Sequence, residues 1–227
     1  MKYKKKFADL IGKYKHAWVL LYAFIYLPWF FYLEKHVTSN YYVIHTAIDD
    51  RIPFVEIFII PYLLWFAFIA VVFLYFFFTD VPGFYNLCKF MFAGMTIFLI
   101  VSTLMPNGLE LRPTYFERDN IFVDMVRQLY LIDTPTNVLP SLHVFNSLSA
   151  CAAIYHSEKL QEHKAVCISA YVLAALIVLA TVFLKQHSVI DVVAAFAMAA
   201  VLHQLVYEPS EHRVLKVQHR QESFARR

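Results

Sequence analysis

Charged residues are scarce in this chain of 227 residues, where Asp, Glu, Lys and Arg together account for 16%. A typical soluble domain carries about 25%, so the composition excludes an ordinary soluble protein. The net charge of +3 is small, and the basic residues collect at the two ends of the chain. We therefore predict no nucleic-acid partner, because such proteins concentrate positive charge on one face.

Cysteine is also rare, and its three positions lack the spacing of a metal site. Cys88, Cys151 and Cys167 all fall within apolar segments. Free cysteine in such surroundings behaves as a small core residue. We predict no metal site and no cofactor, and the cysteines indicate no particular redox compartment.

Apolar residues, by contrast, make up 60% of the chain and aromatic residues 18%. Several apolar stretches reach the roughly 20 residues that a helix needs to cross a hydrocarbon core of about 30 Å. The sequence predicts an all-α, polytopic membrane protein with one domain over residues 1–227. It contains no internal repeat or low-complexity segment that would mark a second domain.

Six apolar runs alternate with polar or turn-forming segments, one of which, residues 80–83, is predicted to be a tight turn. We predict six transmembrane helices at about residues 17–33, 52–78, 84–104, 142–155, 165–184 and 188–206. The basic tail 1–15 and the polar tail 208–227 are predicted to be cytoplasmic by the positive-inside rule. An even number of spans agrees with this placement.

The longest segment between two spans, residues 105–139, is then predicted to lie on the outer, extracytoplasmic side as the loop that carries part of the active site. Within it, residues 120–131 place apolar side chains at helical spacing. We predict a short amphipathic helix that lies on the membrane surface.

Three polar clusters fall at the outer ends of the predicted helices. They are the loop residue Arg112, the helix-opening residues Ser141, Leu142 and His143, and the group Lys185, His187 and Asp191 between the fifth and sixth helices. Ionisable groups at such a depth are costly in a bilayer and are therefore candidates for function.

The third cluster has the spacing of a catalytic pair. His187 and Asp191 are four residues apart, one turn along the same helical face. We predict that His187 attacks the phosphorus atom of a phosphate group bound at the neighbouring helix start. Asp191 would accept the hydrogen bond from the other ring nitrogen of His187 and fix its tautomer. His143 would protonate the leaving oxygen and then act as base toward the acceptor. An ordinary surface pair at a helix end is the alternative interpretation of His187 and Asp191.

The second cluster has the features of an anion site. Ser141 is a suitable N-cap, and the amides of Leu142 and His143 point out of the helix end without a helical partner. A phosphate group binds readily at such a terminus, and Arg112 and Lys185 would meet its remaining oxygens. No metal ion is then required to balance the charge on the phosphoryl oxygens.

Together these motifs resemble the type 2 phosphatidic acid phosphatase (PAP2) superfamily, whose membrane members have six helices and the pattern K-x6-R-P, P-S-G-H and S-R-x5-H-x3-D. Arg112 with the proline after it matches the end of the first motif. The run Pro140 to His143 matches the second, with leucine for glycine, and His187 with Asp191 matches the third. The resemblance implies a lipid phosphatase or phosphotransferase that works through a phosphohistidine. Its substrate would be a lipid phosphate or phospholipid at the extracytoplasmic face, in the plasma membrane if the protein is bacterial.

Two cations of the family pattern are missing here. The lysine of the first motif is replaced by Met105, and the Ser-Arg pair of the third by Ala180 and Thr181. Lys185, one turn after Thr181, is the predicted replacement. The Ser-Leu-His and Lys-Gln-His runs resemble the branch of inositol phosphorylceramide synthases and sphingomyelin synthases, so both water and an alcohol are allowed as acceptors.

Two other functions stay open. A pocket without the missing cations could bind phospholipids and not turn them over, and a transporter could use the same groups as a proton or ion relay. The charges cluster at one face and form no path across the membrane, which favours an enzyme. The sequence indicates neither the lipid, nor the acceptor, nor the oligomeric state.

Overall fold

The computed structural model describes residues 12–207, which are mostly helical. Residues 1–11 of the predicted basic tail and the whole predicted polar tail 208–227 lie outside the described residues. The elements follow in chain order: a 3-10 helix Lys15–Tyr22 that continues into α1 Ala23–His36, β1 Tyr42–Val43, α2 Ala47–Arg51, a 3-10 turn Glu56–Phe58 that leads into α3 Ile59–Thr79, α4 Val81–Leu104, β2 Asn107–Gly108, α5 Ile121–Ile132, α6 Leu142–Tyr155, α7 Glu158–Gln161, α8 Lys164–Phe183 and α9 Val189–Val206.

Five helices within residues 12–207 are long and apolar enough to cross a membrane: Lys15–His36, Glu56–Thr79, Val81–Leu104, Lys164–Phe183 and Val189–Val206. The remaining predicted span is α6, which has 14 residues. At 1.5 Å per residue it rises only about 21 Å, less than a hydrocarbon core of about 30 Å. Five of the six predicted spans are therefore long and apolar enough to cross the membrane. That α6 is the sixth span stays a prediction.

The short helix α6 lies at the centre of the bundle, where it contacts α3, α4, α8 and α9. Gly94 on α4 permits the close approach of α6, because a Cβ atom there would lie 2.0 Å from the ring of Phe145. Small residues at such crossings allow helices to pack tightly in a membrane. The start of α6, which carries Ser141 to His143, is thus held by packing against these four helices.

The outer surface of the bundle is apolar. Phe24 on α1, Val71 on α3 and Val193 on α9 are each at least 60% exposed. Water-soluble monomers rarely expose large contiguous apolar surfaces, whereas lipid tails are suited to cover them. The chain therefore has the surface of an integral membrane protein.

The loop between α4 and α6 is held in place by Asn107. Its side-chain oxygen accepts hydrogen bonds from the amides of Val138 and Leu139, and its side-chain amide donates to the carbonyl oxygen of Met105. The strand β2, which includes Asn107, pairs in parallel with β1. These contacts fix the point at which the chain enters α6.

Helix α5 forms where the amphipathic helix of residues 120–131 is predicted. Asn120 is its N-cap, with a side-chain oxygen that accepts from two amides of the first turn. Val123 and Val126 are fully buried, whereas Leu131 and Ile132 are 78% and 81% exposed. The helix is therefore amphipathic, and its location on the membrane surface stays a prediction.

Candidate active site

The turn between α8 and α9 brings His187 and Asp191 together. Nδ1 of His187 lies 3.4 Å from Oδ2 of Asp191, at the long end for a hydrogen bond. Such contacts often tighten when a substrate binds. The same oxygen accepts the backbone N–H of Ser188 at 2.8 Å, which completes a capping box at the start of α9. Nε2 is then the nitrogen of His187 that faces away from Asp191.

His143, on the first turn of α6, lies beside His187. The centroids of the two rings are 5.8 Å apart. The rings of Tyr62 and Trp65 on α3 pack against His143, with centroid distances of 4.5 and 4.4 Å, and they restrict its orientation. Nε2 of His143 is buried and has no hydrogen-bond partner among residues 12–207. Such an atom costs about 1–3 kcal/mol, which a polar ligand atom would recover.

The start of α6 is joined directly to the start of α9. The backbone N–H of Ser141 donates to the carbonyl oxygen of Asp191 at 3.2 Å, and Oγ of Ser141 caps the amide of Val144 at 3.4 Å. Ser141 is fully buried, and Leu142 lines the neighbouring cavity. The predicted anion site at the amides of Leu142 and His143 therefore lies next to the pair of His187 and Asp191.

A cavity of about 540 Å³ lies between these elements. Most of its wall is apolar or aromatic, and most of those apolar and aromatic side chains come from α1, α3 and α4. Its polar lining includes His143, Asn146, Gln186 and His187, together with the carboxylates of Glu34 and Asp133. An apolar pocket with a few convergent polar groups is the usual form of a ligand site.

Arg112 reaches the cavity wall through Gln186. Its Nη2 donates to Oε1 of Gln186 at 2.5 Å, and its Nη1 donates to the carbonyl oxygen of Tyr130 at 3.3 Å. The guanidinium also lies 4.5 Å from the ring centroid of Tyr130. Burial lowers the pKa of Arg112, and the nearby carboxylate of Asp133 opposes that shift. Arg112 therefore does not line the cavity itself but lies directly behind Gln186, which does.

Lys185 lies at the end of α8 with a φ of 54°, in the left-handed conformation that glycine usually supplies there. Its Nζ donates to the carbonyl oxygens of Asp49 and Ile52, at 2.7 and 2.5 Å. Burial lowers the pKa of Lys185, and the charges of Asp49 and Asp50 oppose that shift. The structure thus does not bring Lys185 into the cavity wall, and its role as a phosphate ligand stays a prediction.

Asp49 holds the start of α9 next to the site, and no sequence pattern indicated this role. It is 2% exposed. Its Oδ2 accepts the hydroxyl of Ser188 at 2.7 Å, and its Oδ1 accepts the backbone N–H of Val189 at 2.8 Å. A carboxylate at a helix N-terminus is favoured by the helix dipole. No local pattern reveals this contact, because Ser188 follows Asp49 by 139 residues.

The positions of the missing family cations carry no substitute cation. Met105 is apolar, and Ala180 is fully buried. Thr181 is also fully buried, and its hydroxyl donates to the carbonyl oxygen of Val178 at 2.7 Å. The two histidines and the aspartate of the motifs lie close together, whereas two of the cations in the pattern are absent.

The family model of the PAP2 superfamily matches residues 107–213. This range contains every site residue predicted from the sequence. Members of the superfamily are phosphatases, and the match together with the apolar helices supports a membrane enzyme that acts on lipid phosphates. Searches of curated proteins and of solved structures found no match.

Proposed function

We propose that the chain is a membrane-bound lipid phosphatase or phosphotransferase that works through a phosphohistidine on His187. The observation that carries this proposal is the geometry around one cavity. His187 is paired with the buried Asp191. The ring centroid of His143 lies 5.8 Å from that of His187. A nucleophile, its orienting carboxylate and a proton carrier are the three groups that the reaction needs.

The reaction takes two steps. In the first, Nε2 of His187 forms a bond to phosphorus, the bond from phosphorus to the leaving alcohol breaks, and His143 protonates the departing oxygen. In the second, water or an alcohol attacks phosphorus and gives its proton to His143, and the nitrogen–phosphorus bond breaks. Asp191 stabilises the positive charge that develops on the ring of His187.

The phosphoryl oxygens are met by the amides at the start of α6 and by Arg112. The first-turn amides of Leu142 and His143 form an anion site at a helix N-terminus. Arg112 would exchange its hydrogen bond to Gln186 for one to the phosphoryl group, which a guanidinium binds with two parallel donors. This arrangement uses no metal ion.

A second, apolar groove of about 650 Å³ supports a lipid as the substrate. It lies between α1 and α3 and shares part of its wall with the cavity. The shared residues are Tyr26, Phe30, Phe31, Trp65 and Phe66. An acyl chain would therefore extend from the reacting phosphate through this groove into the bilayer.

The proposed topology has six spans, with α6 as the fourth and α5 on the outer membrane surface. Because α6 is surrounded by other helices, it need not cover the whole bilayer thickness itself. Non-helical backbone is tolerated at membrane depth where protein encloses it. Both termini are then cytoplasmic, and the cavity opens toward the outer leaflet.

Two finer points belong to the same proposal. The Ser-Leu-His and Lys-Gln-His runs support the branch of inositol phosphorylceramide and sphingomyelin synthases, so an alcohol as well as water is allowed as acceptor. The replacement of two family cations at Met105 and Thr181, and the engagement of Lys185 by carbonyl groups, favour a second candidate. In that candidate the chain binds phospholipids without turning them over.

Incubation of the purified full chain with a panel of lipid phosphates and phospholipids tests the proposal. Parallel reactions with and without alcohol acceptors are analysed for products, and His187→Ala is the matched control. Free phosphate or a released phospho-headgroup identifies a hydrolase, whereas a new phospholipid identifies a transferase. Binding without any product would support the second candidate. An unchanged panel together with ion flux in vesicles would contradict both and favour a transporter.

A further inference from the structure

The short helix α2 contacts the turn between α8 and α9 on both sides of His187. After His187, the hydroxyl of Ser188 and the backbone N–H of Val189 donate to the side chain of Asp49. Before it, Lys185 donates to the carbonyl oxygens of Asp49 and Ile52. A nucleophile that is held in this manner has a lower barrier to reaction, because its orientation is fixed before the substrate arrives.

Three donors converge on the carboxylate of Asp49. Oδ2 accepts the backbone N–H of Thr46 at 2.8 Å and the hydroxyl of Ser188 at 2.7 Å, and Oδ1 accepts the backbone N–H of Val189 at 2.8 Å. Each contact needs an acceptor, and a carboxylate offers acceptors only. An asparagine at this position would point its own N–H groups at a backbone N–H in either orientation of its amide.

Ser188 transmits this restraint to the pair of His187 and Asp191. Because its Oγ donates to Asp49, its lone pairs are left for α9, where Oγ accepts the backbone N–H of Ile190 at 3.1 Å. Its own backbone N–H donates to Oδ2 of Asp191 at 2.8 Å, the same oxygen that lies 3.4 Å from Nδ1 of His187. The orientation of Asp191 therefore depends on Ser188, and the position of Ser188 depends on Asp49.

Lys185 fixes the chain on the other side of His187. Its Nζ lies 2.7 Å from the carbonyl oxygen of Asp49 and 2.5 Å from that of Ile52. The backbone N–H of His187 donates to the carbonyl oxygen of Thr181, in the last turn of α8, at 3.0 Å. The proposed nucleophile thus lies between two anchors that both reach residues 49–52, and a displacement of α2 would move its ring.

We propose that Asp49 is a positioning residue of the phosphoryl-transfer reaction, and that α2 keeps Nε2 of His187 in line with the phosphorus atom. The inference rests on the proposed function, because it concerns the nucleophile of that reaction. Asp49 does not line the cavity and acts through Ser188 and Asp191. It therefore changes the rate at which the nitrogen–phosphorus bond forms and leaves the binding of the phosphate group unchanged.

Two inhibitors separate positioning of the nucleophile from a purely structural role. Inorganic phosphate reports binding in the ground state. Orthovanadate adopts the five-coordinate geometry through which phosphorus passes, so its binding depends on where Nε2 of His187 lies, and such analogues bind more tightly than substrates. A loss of folded protein reduces the yield of active molecules, whereas it leaves both inhibition constants at their parent values.

The purified full chain in detergent is assayed with para-nitrophenyl phosphate and with the lipid panel. With the aryl phosphate, Nε2 of His187 bonds to phosphorus, the bond from phosphorus to nitrophenolate breaks, and nitrophenolate leaves without a proton. We expect Asp49→Asn to lower kcat about 10–100-fold, because a small misplacement of a reacting group has an effect of this size. Inhibition by orthovanadate should weaken by a similar factor, whereas KM and inhibition by phosphate should not change.

Asp50→Asn is the matched control, because it removes a carboxylate from the next position of the same helix. The side chain of Asp50 is 62% exposed and pairs with His45. Its kcat and both inhibition constants should equal those of the parent.

Ser188→Ala is the second variant, and it decides the matter if Asp49→Asn does not fold. It keeps the backbone N–H that binds Asp191 and removes only the hydroxyl that joins Asp49 to α9. We expect a smaller fall in kcat, again with weaker inhibition by orthovanadate and unchanged inhibition by phosphate.

Three contrary outcomes have different meanings. A lower melting temperature with parent values of kcat per folded molecule and of orthovanadate inhibition would show that Asp49 is only structural, and would overturn the inference. Equal weakening of phosphate and orthovanadate inhibition would assign Asp49 to phosphate binding, and would overturn it as well. Failure of the parent to turn over the aryl phosphate and every lipid of the panel would contradict the proposed function itself.

Discussion

The polar atoms of single residues in this site fall into two groups. Both carboxylate oxygens of Asp49 accept hydrogen bonds from the start of α9. Nε2 of His143 and Oδ1 of Asn146, by contrast, are buried without a partner among the described residues. Each such atom costs about 1–3 kcal/mol, and a catalytic role is one explanation for such a group in a native structure. Both residues line the cavity, so we propose that polar groups of the substrate bind at these unpaired atoms.

Lys185 is predicted to bind phosphate, but in the structure its Nζ binds the carbonyl oxygens of Asp49 and Ile52. Lys185→Met would leave the carbonyl oxygens of Asp49 and Ile52 without their buried donor. We expect the free energy of unfolding to fall by about 1–3 kcal/mol, and kcat to fall more than KM rises, because the turn that carries His187 is displaced. Thermal unfolding in detergent and steady-state kinetics measure the two effects.

Lys164→Met, at an exposed position at the start of α8, is the matched control for Lys185→Met. It should change neither unfolding nor kinetics. If Lys185→Met unfolded like the parent but had a strongly raised KM, Lys185 would be a phosphate ligand after all.

At the scale of elements, the apolar runs determine most of the architecture. Helices α3, α4, α8 and α9 form where hydrophobic length predicts spans, since the bilayer requires helices of that length. The segment 80–83, predicted as a tight turn, is instead the start of α4. Asp80 caps this helix by accepting the amide of Gly83 at 3.0 Å. Residues that favour turns also cap helices, so the sequence pattern alone does not separate the two.

The short helix α2 shows where prediction from sequence ends. Thr46 and Asp49 form a capping box, so the sequence between the first two predicted spans does contain a local pattern for this helix. The second role of Asp49, at the start of α9, depends on a contact between distant parts of the chain. Such contacts require the packed structure.

At the scale of the whole molecule, the alternation of spans predicted that the motif residues share one side. His143 and His187 do line one cavity, and Asp191 lies next to His187. Glu34 and Asp133 were not predicted, because they come from the first span and from the outer loop, with no pattern that relates them. The motifs thus predicted a chemistry for the site, whereas the two carboxylates in the cavity wall are found only once the helices are packed.

The side of the membrane on which the cavity opens is a prediction for the whole molecule. A cysteine at Thr114 should react with a membrane-impermeant maleimide from outside intact cells, and a cysteine at Glu162 should react only after permeabilisation. Both positions are exposed, whereas Cys88 and Cys167 are buried, so the parent is the background control. The reverse labelling pattern would place the chemistry on the cytoplasmic side.

The central claim is that the phosphorus atom becomes bonded to His187, and trapping of that bond tests it most directly. The parent, His187→Ala, His143→Ala and the exposed control His36→Ala are mixed with a phospholipid carrying radioactive phosphorus, quenched at alkaline pH and counted. We expect label on the parent and on His36→Ala, none on His187→Ala, and slower labelling of His143→Ala. An activated aryl phosphate should recover much of the roughly 10²–10⁴-fold loss in His143→Ala, since its leaving group needs no proton. Label that persists in His187→Ala and vanishes in His143→Ala would contradict the assignment.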